Sequence, residues 1–332
     1  MTTHTPLRCA YSGMVAYSHG GDGYIVLLNS GNYPSFSSFL NQTWIWNGTN
    51  GNEDWTDISP TTSFIDPNGP LGPSVNGVVM SARNNQVMGF DGTNVMLFGG
   101  KGSSSTAGTF EDTWTFSPTS STWTLQSALT TIPQSRYGAA GASMDGYGVL
   151  MFSGQNAGVL LEETWLWSGT AWSQISVANG TGPAARTGAA MAGNLSTGAS
   201  SNVLLFGGQG TNSQFNDTWL YNGASGWGLV SPATSPSVRS GHCLAYDSHN
   251  SVWVMFGGYN EYNYLPETWT FNGTTWTQRS VGAGPAGRVG AQMAFDTTNN
   301  LTIMYGGVSA TTNYPSNETW AFNGSTFVWT QL

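Results

Sequence analysis

Short apolar runs closed by glycine punctuate this chain. The stretches VMLFGG from residue 95, VLLFGG from 203, VWVMFGG from 252 and LTIMYGG from 301 share one form, and VLMFSG from 149 has a serine in place of the first glycine. Runs of four to eight Val, Leu, Met, Phe, Tyr and Trp residues between glycine-rich breaks predict strands, because a helix needs a longer stretch with a 3.6-residue period. Before each run stand an arginine and a small apolar segment: RNNQVMGFD from 83, RYGAAGASMD from 136, RTGAAMAGN from 186, RSGHCLAYD from 239 and RVGAQMAFD from 288. After each run comes a strand opening Asp/Glu-Thr-Trp, and then a short strand with a second tryptophan.

The order of these parts is periodic. Trp114, Trp165, Trp219, Trp269 and Trp320 are spaced by 51, 54, 50 and 51 residues, and a variant, Gln42-Thr43-Trp44, precedes Trp114 by 70. The second tryptophans are Trp55, Trp123, Trp172, Trp227, Trp276 and Trp329. Between the two tryptophan strands lie Asn47-Gly48, Asn222-Gly223, Asn272-Gly273 and Asn323-Gly324, with Ser168-Gly169 in one copy. Asn-Gly between apolar runs signals a hairpin, with both residues expected at positive φ in a type I′ turn. Each unit is therefore expected to be a four-stranded antiparallel meander of about 50 residues. Four-stranded units cannot bury both faces alone, and radial stacking covers them.

The glycine pair, the tryptophan a dozen residues on and the second tryptophan beyond it resemble the kelch-repeat family of β-propellers, over nearly the whole chain. The resemblance implies an all-β, six-bladed β-propeller of four-stranded antiparallel kelch-type blades in a single domain, residues 1–332. The blades are expected near 8–58, 83–126, 136–175, 186–230, 239–279 and 288–332, with an inserted Pro/Gly-rich loop at 59–82. The first blade departs from the pattern: YIVLLNSG lacks the glycine pair and Gln42 replaces the acid. The expected closure takes the inner strand of the first blade from Gly13 to Tyr17 and the outer strand of the last from the C-terminus, with no strand exchanged.

Composition narrows the functional classes. Formal net charge is -9, and Lys101 is the sole lysine, so nucleic acid is not an expected partner. No apolar run long enough for a membrane span occurs, and the first 18 residues lack the basic-then-apolar profile of a secretory signal. Cys9 and Cys243, the only cysteines, are expected to be buried free thiols. Twelve of the 15 tryptophans occupy repeat positions, which assigns them to packing between blades.

Six of the seven arginines open a repeat, Arg8 among them, and Asp112, Glu163, Asp217, Glu267 and Glu318 stand two places before their tryptophans. One arginine and one carboxylate per blade point to repeated ion pairs, with Arg8 the least neutralised because its blade has Gln42. Asp91, Asp145, Asp247 and Asp296 end first strands and suit turns. No His, Cys or acid spacing marks a metal site or a cofactor, His242 reads as a core histidine, and no catalytic constellation is recognisable.

What remains for binding is irregular. Tyr33 and Phe36, then Tyr259, Glu261, Tyr262 and Tyr264, then Tyr314 lie in loops that follow the glycine pairs or their equivalent in neighbouring blades. Together with Arg8 they form the candidate binding set. Two readings follow. One is a non-enzymatic recognition or adhesion module for a glycan or protein, on a cell exterior or virion surface and open to assembly with other subunits. The other is a carbohydrate-active propeller enzyme with residues scattered around an axial pocket.

Overall fold

The computed structural model of the protein describes residues 6–19, 22–29, 42–48, 54–59, 74–75, 78–102, 108–144, 148–178, 180–194 and 202–332. Six four-stranded antiparallel sheets follow one another along the chain, each a meander in sequence order, and no helix occurs among these residues. The innermost strands are Gly13–His19, Val87–Phe90, Ala140–Met144, Ala190–Gly193, Cys243–Asp247 and Gln292–Asp296. Each contacts its two neighbours around a ring, and the first contacts the last. The first blade runs Gly13–His19, Asp22–Asn29, Gln42–Asn47 and Asp54–Asp57, and the last ends on Val328–Gln331, so no strand is exchanged between the chain ends.

The core lies between blades. Second strands such as Val252–Phe256 read as continuous apolar runs because both of their faces meet a neighbouring sheet. The second tryptophans are all buried. Each donates its indole N–H to the threonine of the Asp/Glu/Gln-Thr-Trp triplet in the preceding blade: Trp123 to Thr43, Trp172 to Thr113, Trp227 to Thr164, Trp276 to Thr218 and Trp329 to Thr268, at 2.9–3.0 Å. Trp55 does the same to Thr319, at 3.1 Å, and closes the series. Burial of each ring contributes about 2–3 kcal/mol, and each hydrogen bond adds about 1 kcal/mol.

The aspartates that end first strands act in turns and also between blades. Asp91 Oδ1 accepts the N–H groups of Thr93 and Asn94, while its Oδ2 accepts the Trp167 indole from the next blade. Asp296 accepts Thr298 N–H and the Trp46 indole. Asp145 lies outside the described residues.

The Asn-Gly hairpins differ from the expected type I′ turn. Phe271 pairs with Trp276, which leaves four residues in the loop. Only Gly273 there has positive φ, while Asn272 Oδ1 accepts the N–H groups of Thr274 and Thr275. The asparagine works through its side chain, as an Asx turn.

Of the 59–82 insertion, Ser74–Val75 and Val78–Val79 pair as a small hairpin beside Thr122–Leu125. Met80 is buried in the core between the first two blades.

Arg8 does not open the first blade as the other arginines open theirs. Arg136, Arg239 and Arg288 accept, on their backbone carbonyls, the N–H of the second glycine of the preceding blade's pair: Gly100, Gly208 and Gly258. In the first blade the acceptor of Gly307 N–H is Cys9. Cys9 therefore holds the arginine position, buried, and Arg8 is one residue out of register and exposed. The first blade has lost both partners of the ion pair, the arginine to Cys9 and the acid to Gln42.

Candidate functional site

Because strands alternate in direction, the arginines, the glycine-pair loops and the links between blades all lie at one end of the disc, called here the upper face. Five arginines there are buried and fully engaged. Arg239 shows the pattern: Nε donates to the Ser237 carbonyl at 3.1 Å, one terminal nitrogen to the Gly257 carbonyl at 3.1 Å and the other to Glu267 at 2.6 Å. Arg83 with Asp112, Arg136 with Glu163, Arg186 with Asp217 and Arg288 with Glu318 repeat it within their own blades. The Trp114, Trp219, Trp269 and Trp320 indoles donate to the same carboxylates. Phe110 and Phe215 lie under the guanidinium groups of Arg83 and Arg186, with the carbon 4.2 and 4.1 Å from the ring centre. Burial alone would raise the Asp112, Glu267 and Glu318 carboxyls, but the arginine and indole donors hold all three below the ordinary range. The five repeated arginine–acid pairs of this face are thus committed to cohesion.

Inside the ring of arginines is a ring of backbone. Tyr11, Asn85, Gly138, Gly188, Gly241 and Gly290 all have φ between 54° and 72°. The N–H of each donates to the carbonyl of the corresponding residue in the preceding blade, at 2.7–2.9 Å, and Tyr11 to Gly290 completes the circle. Glycine and asparagine adopt this left-handed conformation readily, whereas a tyrosine there costs about 1–2 kcal/mol. The Tyr11 ring lies over Gly290, where a Cβ would come within 2.8 Å of it, so that glycine is required.

Tyr11 also stands beside two of the expected binding residues. Tyr259 and Tyr264 pair edge-to-face with centroids 5.6 Å apart, and with Tyr11 they pack on Ala10, Val289 and Val308. Burial, reinforced by Tyr264, raises the Tyr11 hydroxyl pKa to about 12. The Tyr259 hydroxyl donates to the Glu261 carbonyl at 2.6 Å. Glu261 forms the hairpin tip at φ 75°, with its side chain exposed. Tyr262 is 81% exposed and Tyr314 58%. Tyr259 and Tyr264 are thus partly buried supports, while Glu261, Tyr262 and Tyr314 face solvent. Arg8 is exposed and forms no ion pair among the described residues. Tyr33 and Phe36 lie outside the described residues. Sequence reading missed Tyr11; its signal was the tyrosine standing where four other blades have glycine.

Two cavities lie on the propeller axis. The upper, about 170 Å³, is bordered by the backbone ring and by Ser12, Gln86, His242 and Gln292. The lower, about 330 Å³, opens on the opposite side. Met14, Met88, Gly141, Met191, Leu244 and Met293, one per blade, line both and form the waist between them. His242 is buried edge-on against Phe206, and desolvation followed by the charge of Arg239 lowers its pKa to about 3, which keeps it neutral. Cys9 and Cys243 are buried free thiols, raised to about 12 by desolvation and so unreactive. Among the described residues no cluster of three His, Cys, Asp or Glu side chains could hold a metal ion.

Residues 195–332 match the family model described as the KLHDC2/KLHL20/DRC7 Kelch-repeats domain. No curated protein matches the chain.

Proposed function

We propose that this six-bladed propeller, whose residues 195–332 match a kelch-repeats family model, is a protein-binding scaffold of the kelch type, a recognition protein whose upper face grips a loop or glycan of another molecule without chemical turnover. The observation that carries this reading is the packing of Tyr259 and Tyr264 with a conformationally strained Tyr11, on a face whose loops also expose Tyr262 and Tyr314. Strain held at one position of an otherwise regular ring is a mark of function, and tyrosines with neighbouring amides make adaptable contact surfaces. The five engaged arginines support binding over catalysis, since none is free to polarise a substrate. The low charge and single lysine suit a protein exposed on a cell or virion exterior.

Panning a random-peptide display library on the immobilised protein, in parallel with a printed glycan array, tests the reading. Selected ligands should lose at least tenfold in affinity to Tyr262→Ala and Tyr314→Ala at unchanged melting temperature. Ligands insensitive to both changes would overturn the assignment. Hydrolysis of an arrayed glycan, abolished by His242→Ala, would establish the enzymatic alternative.

A further inference from the structure

The Asn-Gly pairs carry chemistry that neither packing nor binding uses. An asparagine amide carbon can be attacked by the backbone nitrogen of the next residue, closing a five-membered imide. Glycine at that next position removes the side chain that would obstruct the attack. Folding then decides which pairs react. Asn47-Gly48, Asn222-Gly223, Asn272-Gly273 and Asn323-Gly324 lie among the described residues, each where a third strand turns into a fourth.

At Asn272-Gly273 three requirements meet. The Asn272 side chain is exposed and its Nδ2 makes no hydrogen bond, so the leaving nitrogen is not held. The Gly273 N–H has no hydrogen-bond partner either, and a Cβ on Gly273 would meet nothing within 4 Å, so there is room for the attack. The third requirement is electrostatic. Asn272 Oδ1 accepts the Thr274 N–H at 3.0 Å, the Thr275 N–H at 2.8 Å and the Thr274 hydroxyl at 3.0 Å. Negative charge develops on this oxygen as the amide carbon is attacked, and donors already aimed at it stabilise that charge without reorganisation. The Asx turn that shapes the hairpin is thus also an oxyanion site.

The sibling pairs each lack a requirement. Asn323 Oδ1 also accepts two N–H groups, from Ser325 at 2.9 Å and Thr326 at 3.0 Å. Gly324, however, is buried against the preceding blade, where a Cβ would collide with Asp247 Oδ2. Gly48 is buried in the same way against Asp296 and Asn299, and its carbonyl accepts the Asn299 amide at 3.0 Å. Asn222 Nδ2 is tied to Asn202 Oδ1 at 3.4 Å, and Asn222 itself pairs with Gly226 in the strand ladder.

We propose that Asn272-Gly273 is a self-modifying site of the folded protein, at which Asn272 deamidates through a succinimide. The Gly273 nitrogen gives its proton to water or hydroxide and bonds to Asn272 Cγ. The Cγ–Nδ2 bond then breaks, and Nδ2 takes up a proton and leaves as ammonia. Water adds to either carbonyl of the imide and reopens the ring as aspartate or isoaspartate, with no change of oxidation state. Aspartate keeps an acceptor for Thr274 and Thr275. Isoaspartate adds one atom to the backbone of the loop between Phe271 and Trp276, and so pulls on the bond from Trp276 to Thr218. The site lies on the face opposite the tyrosine loops and is independent of the recognition reading.

Timed incubation of the native protein in neutral buffer, followed by digestion and mass spectrometry, tests the proposal. The mass gain of amide-to-acid conversion should appear at Asn272 at least tenfold faster than at Asn47, Asn222 or Asn323. In the same chain unfolded in urea, all four should react at similar rates. Thr274→Ala removes one exposed donor from Oδ1; it should slow Asn272 severalfold in the native protein and leave the rate in urea unchanged. Equal native rates at the four pairs, the same order of rates in the folded and unfolded chain, or a native rate untouched by Thr274→Ala would overturn the proposal.

Discussion

The Trp55 indole N–H donates to Thr319 Oγ1 at 3.1 Å, across 264 residues of chain. This bond joins the first blade to the last by the same contact that joins every other neighbouring pair, and with the backbone bonds from Tyr11 to Gly290 and from Gly307 to Cys9 it closes the seam without a shared strand. Thr319→Val keeps the shape and removes the acceptor, leaving a buried indole N–H unpaired at a cost of about 1–3 kcal/mol. A melting temperature lowered by a few degrees, matched by Thr268→Val at an internal blade boundary, is the expected outcome. Wild-type stability in Thr319→Val would show that the seam is held by other means.

Acid should weaken the molecule through two groups of residues. Asp112, Glu267 and Glu318 have folded pKa values below their ordinary ones, so the stability they contribute is present above about pH 4.5 and lost as pH falls through those depressed values. His242 acts earlier. Its folded pKa of about 3 means that below pH 6.5 the unfolded chain takes up a proton the folded chain does not. Stability should therefore fall from pH 6.5 downward, by up to about 1.4 kcal/mol per pH unit. Denaturant melts of His242→Ala, which installs the residue found at the equivalent Ala139, Ala189 and Ala291, should show a flatter slope between pH 6.5 and about 4.5. An unchanged slope would count against a buried neutral histidine.

Cys9 and Gln42 stand where other blades have an arginine and an acid, and the indole of Trp44 still reaches Gln42 Oε1 at 3.4 Å. Cys9→Arg alone buries an unpaired charge and should be destabilising. Adding Gln42→Glu should recover part of the loss, with a coupling of about 1–3 kcal/mol in a double-mutant cycle. Zero coupling would mean that the two positions do not form the vacated pair.

Tyr305 replaces the phenylalanine found as Phe98, Phe152, Phe206 and Phe256, and its hydroxyl donates toward the carbonyls of Pro6 and Leu7, 2.5 and 3.0 Å away. Tyr305→Phe retains a ring the other blades accept, so its effect should be local. Amides of Cys9 and Tyr11 should exchange faster with deuterium, while those of the inner strand Cys243–Asp247 stay unchanged. Equal protection of the N-terminal segment would remove the hydroxyl from the account of closure.

The repeat made the architecture readable because its residues do the same physical work blade after blade: strands and tryptophans recur six times, and arginine and acid five times. Where one residue type hides a change of register, the reading slipped. Arg8 looked like the sixth arginine, yet Cys9 fills that place, and only the paired loss of the acid at Gln42 could have revealed it. The hairpins slipped for a related reason: Asn272 serves through its carbonyl oxygen, which sequence cannot distinguish from a left-handed backbone. Ser153 substitutes for a glycine at φ 62° because its hydroxyl takes the Arg186 N–H at 2.7 Å, a contact made across a blade boundary. The site was only partly legible. Tyr262 and Tyr314 stood out as breaks in the pattern, but Tyr11 gained its meaning from the backbone ring.

The central claim is that repeated positions hold a closed disc together. Hydrogen exchange of the indole protons of Trp55, Trp123, Trp172, Trp227, Trp276 and Trp329, followed by NMR with increasing denaturant, tests it most directly. The account predicts that all six are protected and lose protection together, Trp55 no sooner than the rest. Rapid exchange of Trp55 under native conditions, with the other five protected, would contradict it.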